Sequence, residues 1–459
     1  MSSVQARARS PRAPLMALLL VIPLLAALPS SGAAQEFPVE RDSLANGLRV
    51  LLVPDHTVPS VCLAVVFHAG SKNERPGITG IAHLFEHMMF NGSARYAPKQ
   101  FDTILEGGGG YSNAFTTKDF TLYFEEFNSD MLEKAIDMEA DRIRALKLDS
   151  ENLEQERGIV AEERRMRVDD VPRSKLNEEV EAVAFDSHPY GQPVIGWMTD
   201  IQHIPLASCK DFFRTYYAPN NAVLCLAGDF DPATARGLIR KAFSDIPAQT
   251  PPAAVLESED PQSGERRLSV SLPAEQPAVN MAYHIVARRD PDYLAYDLLA
   301  RILGGGESSR LFRDLVYEQQ VATGAAAWID ESEQPGLLGL WVDVIPGKSP
   351  EEAIARVDSV VAALQKSGVT AAEVDKARNQ ALTGLARQLT TNGDRVVQLL
   401  IAELIDGDYR RVFSLAKDYD RVSAADVTRV ARATLIPENR TVGILIPKAD
   451  SASLEGGEK

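Results

Sequence analysis

Two periods of apolar and polar positions run along this chain, and the switches between them mark its elements. Leu44–Asp55 (LANGLRVLLVPD) reads as a strand with a polar turn at Asn46-Gly47, and Val61–Ala69 (VCLAVVFHA) as a second, strongly β-prone run. Tyr111–Phe127 alternates over a length that suits one long strand or a strand pair, and follows Phe101–Glu106 and four glycines, Gly107 to Gly110. Those glycines mark a turn or a place where another backbone could approach closely. Period 3.6 appears elsewhere. Glu351–Lys366 gathers Ala353, Ile354, Val357, Val360, Val361 and Leu364 on one side before Gly368. Thr370 and Glu373 have the spacing of a capping box for the next helix.

One helical stretch departs from ordinary amphipathicity. Asp149–Val168, with Asp149 or Ser150 as its cap, places Leu153, Glu156, Val160, Glu163 and Arg167 on a single stripe. Carboxylates among apolar residues suit neither a core face nor a wet one. Glu162 falls about 100° round, with Ile159 and Met166, and periodicity does not choose between it and Glu163. A second such stretch is Gly80–Gly92 (GIAHLFEHMMFNG), read as a helix ending near Asn91-Gly92. His83 and His87 are four apart, one turn above each other on one face, and can bind one zinc ion together. Glu86 projects toward the same side, within reach of a water beside that metal. This is the H-x-x-E-H order, the inverse of H-E-x-x-H.

The Pro-, Ser- and acid-rich run Pro247–Glu265 lacks periodicity and reads as an interdomain linker. On either side of it, Ala218-PNNAVLCLAG echoes Ile436-PENRTVGILI, with Pro219 over Pro437 and Asn221 over Asn439. The echo predicts two related halves, with no metal motif in the second. The boundaries expected are a leader 1–34, an N-terminal domain 35–247, a linker 248–265, a C-terminal domain 266–449 and a tail 450–459. A chain of 459 residues is long enough for two domains.

Charge and composition narrow the class. Arg7, Arg9 and Arg12 precede the apolar run Leu15–Leu28, and small residues follow to Ala34, the pattern of a cleaved signal peptide. The run is shorter than the roughly 20 residues a span needs, so the expectation is an exported protein, periplasmic or secreted, without a stable membrane span. Removing residues 1–34, with three arginines and no acids, takes the formal charge from −16 to −19. Nucleic acids and anionic membranes want basic surface, so neither is an expected partner. Cys62, Cys209 and Cys225 sit in apolar surroundings with no C-x-x-C, as buried thiols do, although one disulfide remains open. His56, His68, His188, His203 and His284 lack ligand spacing and read as structural. There is no G-x-S-x-G, and Gly304–Gly306 leads into Glu-Ser-Ser-Arg, which does not fit a phosphate cradle.

Taken together, HLFEHMMFNGS, Asn113-AFTTKDFTLY, Glu156-RGIVAEERRM, His188-PYGQPVIGW, Tyr217-APNNAVLCLAGDF and Leu303-GGGESSRLF resemble the landmarks of the pitrilysin/insulinase (inverzincin) zinc peptidases. The resemblance is to the short, two-domain, bacterial and mitochondrial-processing-peptidase-like branch, and covers nearly the whole mature chain. It implies an α+β fold of two homologous domains, each a mainly antiparallel sheet packed with helices, enclosing a chamber for short or unfolded peptides. It implies one Zn2+ per chain on His83, His87 and Glu163, the glutamate 76 residues beyond the second histidine, and so selects Glu163 over Glu162. Glu86 becomes the general base, Glu156 a second functional glutamate, and Asn113-Ala114 part of an edge strand that could pair with a peptide. A homodimer, or a heterodimer with a zinc-less paralogue, is the implied assembly. Where the family often carries an arginine and a tyrosine for the substrate carbonyl, this chain has Val316 and Thr323, with Tyr317 adjacent. The implied activity is zinc-dependent peptide-bond hydrolysis; the alternative is a non-catalytic structural or substrate-binding subunit.

Overall fold

Inner strands that are mainly apolar and buried on both faces form the centres of the two sheets in this computed structural model, which describes residues 36–448. The first contains β1 (Glu40–Ser43), β2 (Arg49–Pro54), β3 (Ser60–Phe67), β4 (Tyr111–Thr116), β5 (Thr121–Asn128) and β6 (Ala222–Gly228), in spatial order β1-β2-β6-β3-β5-β4. The second contains β7 (Arg266–Leu272), β8 (Ala278–His284), β9 (Ala322–Ile329), β10 (Leu337–Val344) and β11 (Arg440–Pro447), in order β7-β11-β8-β10-β9. Matched strand for strand from β2 and β7, the two orders coincide. In each sheet one pair is parallel, β2 with β6 and β7 with β11, and the rest are antiparallel. The expected α+β fold of two mainly antiparallel, helix-packed halves is what the chain adopts.

Side-chain alternation sorts each strand between two cores. On β3, Val61, Leu63, Val65 and Phe67 face helices of the N-terminal half, while Cys62, Ala64 and Val66 face the other way. That second face is covered from a distance. The helix Asn392–Ile401 crosses from the C-terminal half and sets Val396, Leu399 and Leu400 against Leu51, Val53, Cys62 and Val223. The exchange is reciprocal. The helix Pro172–Ala184, from the N-terminal half, packs Leu176, Val180 and Ala184 on Ala278, Ala282, Trp341 and Leu445 of the second sheet. Each half therefore completes a layer of the other.

Most local expectations agree with these elements. Asn46-Gly47 turns β1 into β2, with Gly47 at φ +89°. The Tyr111–Phe127 segment is the hairpin β4–β5. Asp149 caps the helix Ser150–Arg164 by accepting from the backbone N–H of Asn152 at 2.9 Å. Beyond Arg164 the expected helix gives way to a π-helical turn, Arg165–Asp169. Thr370 and Glu373 form both bonds of their capping box. Residues 247–265 carry no helix or strand, yet they are strapped down: Glu259 accepts from the backbone N–H groups of Asp186, Ser187 and His188. All three cysteines are free and buried. The leader and the tail both lie outside the described residues, among which no helix is long and apolar enough to cross a membrane.

Candidate metal centre

The helix Ile81–Met88, the motif helix, begins where Gly80 adopts φ +86° against Ile195 and Gly196, an approach a side chain would block. Its N-terminus is capped by a buried carboxylate. Glu74 accepts from the N–H of Gly80 at 2.7 Å and of Ala82 at 2.8 Å, satisfying donors the helix leaves unpaired. Burial lifts its pKa well above the carboxylate range, although those two bonds pull the other way. Ile81, Leu84, Phe85 and Met88 enter the first core, which fixes the rotation of the helix and turns His83 and His87 toward the helix Ser150–Arg164.

The two helices bring together residues 76 positions apart. Among the described residues, His83, His87 and Glu163 form the one group of three or more His, Cys, Asp or Glu residues able to hold a metal ion, their donor atoms all within 4.8 Å of one another. Glu163 Oε2 lies 3.1 Å from His87 Nε2 and 3.7 Å from His83 Nε2. Glu162 points outward, 60% exposed, and pairs with Arg165 at 2.7 Å. Glu156, buried two turns before Glu163, lies with Oε2 3.4 Å from His87 Nδ1. A carboxylate on Nδ1 keeps the proton there and turns the Nε2 lone pair toward the centre.

Two imidazoles and a carboxylate form a donor set that suits a divalent ion with an open coordination position, and zinc in particular. The electrostatics of the site agree with that fit. Burial, and then the neighbouring His87, lower the His83 pKa to about 4, keeping it a neutral donor. Burial works to lower His87 too, but Glu156 and Glu163 outweigh it and raise the group to about 9, so this cluster attracts positive charge. The His87 bond first, and a nearby arginine last, hold Glu163 below its ordinary value. That arginine, Arg167, reaches its Oε1 at 3.0 Å.

Glu86 faces the same space. Its Oε2 accepts from the Thr116 hydroxyl at 2.6 Å, leaving Oε1 free, and burial raises its pKa against that bond. A cavity of about 620 Å³ opens over His83, Glu86 and Glu163, with Phe115 and Thr116 of β4 on one side and Trp328 and Trp341 of β9 and β10 on the other. Asn113 and Ala114 lie on β4, at the outer edge of its sheet, just before the residues that line the cavity. Val316, Tyr317 and Thr323 do not line it: Val316 packs on the second core, Tyr317 donates to Glu307, and Thr323 contacts Gln276. The other five histidines have their own partners, His56 with Asp229, His68 with Glu333, His188 with Gln334, His203 with the Thr199 carbonyl and His284 with that of Ala184. Sequence reasoning passed over Glu74, Thr116 and the two tryptophans. Thr116 follows the expected edge residues by two positions on the same strand, a signal that could have found it.

Comparison with known proteins divides along the same line. The family described as insulinase (peptidase family M16) matches residues 49–197, and that described as peptidase M16 inactive domain matches residues 203–381. The chain is 29% identical over 431 residues to "Zinc protease PqqE" of Helicobacter pylori, covering 92% of this chain and 97% of that one. It is 24% identical over 434 residues to "Probable mitochondrial-processing peptidase subunit beta, mitochondrial" of Arabidopsis thaliana, 89% of this chain and 78% of the relative. The crystal structure of a protease from Helicobacter pylori superposes with a TM-score of 0.84 at 29% identity, over 89% of this chain and 99% of that one.

Proposed function

Because the chain belongs to the insulinase family, peptidase family M16, we propose that it is a zinc-dependent endopeptidase acting on short or unfolded peptides. The observation that carries this reading is the complete donor set, His83, His87 and Glu163, beside the free carboxylate oxygen of Glu86. Relatives named as zinc proteases support it. A three-donor set that leaves a coordination position open suits catalysis better than a purely structural role.

Zinc held by His83, His87 and Glu163 would supply Lewis acidity and a water acidified enough to attack at neutral pH. The chain's own residues do the rest. Thr116 fixes Oε2 of Glu86, so Oε1 accepts the proton of the attacking water and passes it to the leaving amine nitrogen. Glu156 holds His87 by Nδ1, and Arg167 occupies the Glu163 oxygen that faces away from the histidines. A peptide adding to the outer edge of β4 at Asn113-Ala114 would run toward Thr116 and Glu86.

The same proposal covers organisation. Residues 35–247 form the zinc-binding domain, 248–265 the connection and 266–449 a metal-free domain, exported after removal of residues 1–34. The chain works as a homodimer or with a zinc-less paralogue, as the subunit naming of the Arabidopsis relative suggests. Changing Glu86→Gln is expected to leave zinc bound and to lower kcat/KM by about 10²-fold or more, the scale of a lost general base. Zinc content by elemental analysis and cleavage of a mixed peptide library check this; full activity in the variant overturns the role of Glu86.

A further inference from the structure

The charged groups lining the cavity over the metal centre are mostly paired among themselves or with neighbours. Apart from Glu86, its acids beyond the metal cluster are already matched. Glu178 accepts from Arg164 at 2.8 Å through both carboxylate oxygens, and from Lys175 at 2.7 Å. Glu181 lies 2.9 Å from Lys118 and accepts from Asn177 at 2.7 Å. Of the cations on the lining, Arg167 is committed to Glu163 at 3.0 Å. Arg173 is different. It sits in the first turn of the helix Pro172–Ala184 with its side chain 57% exposed, and its nearest acid, Asp343, stands 3.6 Å away, beyond hydrogen-bond distance.

What holds Arg173 is an aromatic face. Its guanidinium carbon lies 4.1 Å from the centroid of the Trp341 ring. Asp343 accepts through Oδ1 from the Trp341 indole N–H at 2.7 Å, a bond that fixes the ring under the arginine, and its Oδ2 stands 3.6 Å from the guanidinium without a hydrogen bond. The wall extends to Trp328, which lies across β10 because Gly339 opposite it has no Cβ to collide with the indole. A guanidinium stacked on an indole keeps its N–H edge free and in plane, the arrangement that binds a carboxylate bidentately. The long stem is already ordered by the stacking, so less rotamer freedom is lost when a ligand arrives.

We propose that Arg173 is a specificity-determining residue of this site and that the cavity selects peptides presenting a carboxylate, from an acidic side chain or from the peptide C-terminus. The proposal rests on the peptidase reading for its substrate and adds which peptides are taken. It runs against the overall field: a formal charge of −16, or −19 without residues 1–34, attracts basic peptides, so a preference for acidic ones points to a local cation.

The test uses one peptide sequence with Glu, Gln or Lys at successive positions, each with a free and an amidated C-terminus. Cleavage by the wild-type chain gives relative kcat/KM. Binding to the Glu86→Gln protein is followed by tryptophan fluorescence, since two of the three tryptophans line the cavity. The expected result is a preference of about tenfold or more for one carboxylate-bearing peptide over its neutral isostere, falling to within about twofold in Arg173→Gln and reversing toward Lys in Arg173→Glu. Sensitivity to Glu against Gln identifies a side-chain carboxylate, and sensitivity to amidation a terminal one. Equal binding of all peptides, or a preference that survives Arg173→Gln, overturns the proposal. Absence of cleavage with the carboxylate preference intact in binding would instead overturn the peptidase reading alone.

Discussion

The two halves of this chain share a sheet order and differ in what their matching helices carry. In the N-terminal half the motif helix packs on Ser150–Arg164 through His83, His87, Glu156 and Glu163. In the C-terminal half the helices Tyr293–Gly304 and Ala371–Arg387 pack on each other with Leu298, Leu299, Ile302, Val374, Ala377 and Ala381 in the core. One contact is built of imidazole and carboxylate groups, the other of hydrocarbon. The scaffold thus tolerates an apolar packing where the site stands, and the polar version must be stabilised by something other than dispersion. Burying imidazole and carboxylate groups costs free energy unless they are paired or bind a cation. The network from Glu156 to His87 to Glu163 to Arg167 provides that pairing.

The comparison breaks most severely if its apolar side is cut. Leu298→Ala, at a fully buried position, is expected to cost about 2–5 kcal/mol of stability while leaving the zinc affinity of the folded chain unchanged. Calorimetry of the loaded and metal-free variant measures both. Cutting the polar side acts on the metal instead: Glu156→Gln removes the carboxylate behind His87 Nδ1, and zinc affinity is expected to fall about 10- to 100-fold with only a small change in melting temperature. A competitive chelator titration reads that shift.

The boundary between the halves gives a smaller effect with a definite sign. Glu333 reaches across to His68 at 2.7 Å and to Lys72, which also lies 2.8 Å from Asp119. Asp119 in turn accepts from the Glu333 backbone N–H at 2.9 Å and from the Tyr190 hydroxyl at 2.5 Å. Burial opposes the charge on Glu333, but the bonds and charges of His68 and Lys72 prevail and hold its pKa at about 2, against an ordinary 4.5. A depressed carboxylate contributes stability that is fully present above its unfolded value and lost as pH falls toward its folded one. Urea midpoints are therefore expected to drop between about pH 4.5 and 2 more steeply in the wild type than in Glu333→Gln. Equal slopes would remove this contact from the account.

The site was more legible in the sequence than the way the halves interlock. H-x-x-E-H carries its own geometry, because residues four apart on a helix must face one side, and the mixed stripe of Glu156 and Glu163 marked a helix with something other than a core to meet. Choosing Glu163 over Glu162 needed the resemblance, since a difference of 100° on an unplaced helix has no direction. The exchange of Pro172–Ala184 and Asn392–Ile401 left no trace in periodicity, which reports that a face is buried but not against which sheet. The same limit hid Arg173 and its tryptophan wall, which meet only when β9 and β10 are placed across from the N-terminal half. The linker reading meets a related limit. Composition records that Pro247–Glu265 lacks a period, whereas the backbone groups that hold Glu259 belong to residues some 70 positions earlier.

The central claim is that one half alone carries a metal centre, closed by a glutamate from a second helix. The direct measurement is zinc content together with peptide cleavage for the wild type and Glu163→Gln, purified in parallel. The account predicts close to one zinc per chain and cleavage in the wild type, and loss of both in the variant, with its fold retained by circular dichroism. Zinc and cleavage retained in Glu163→Gln, or a wild-type chain that takes up no zinc, would contradict it.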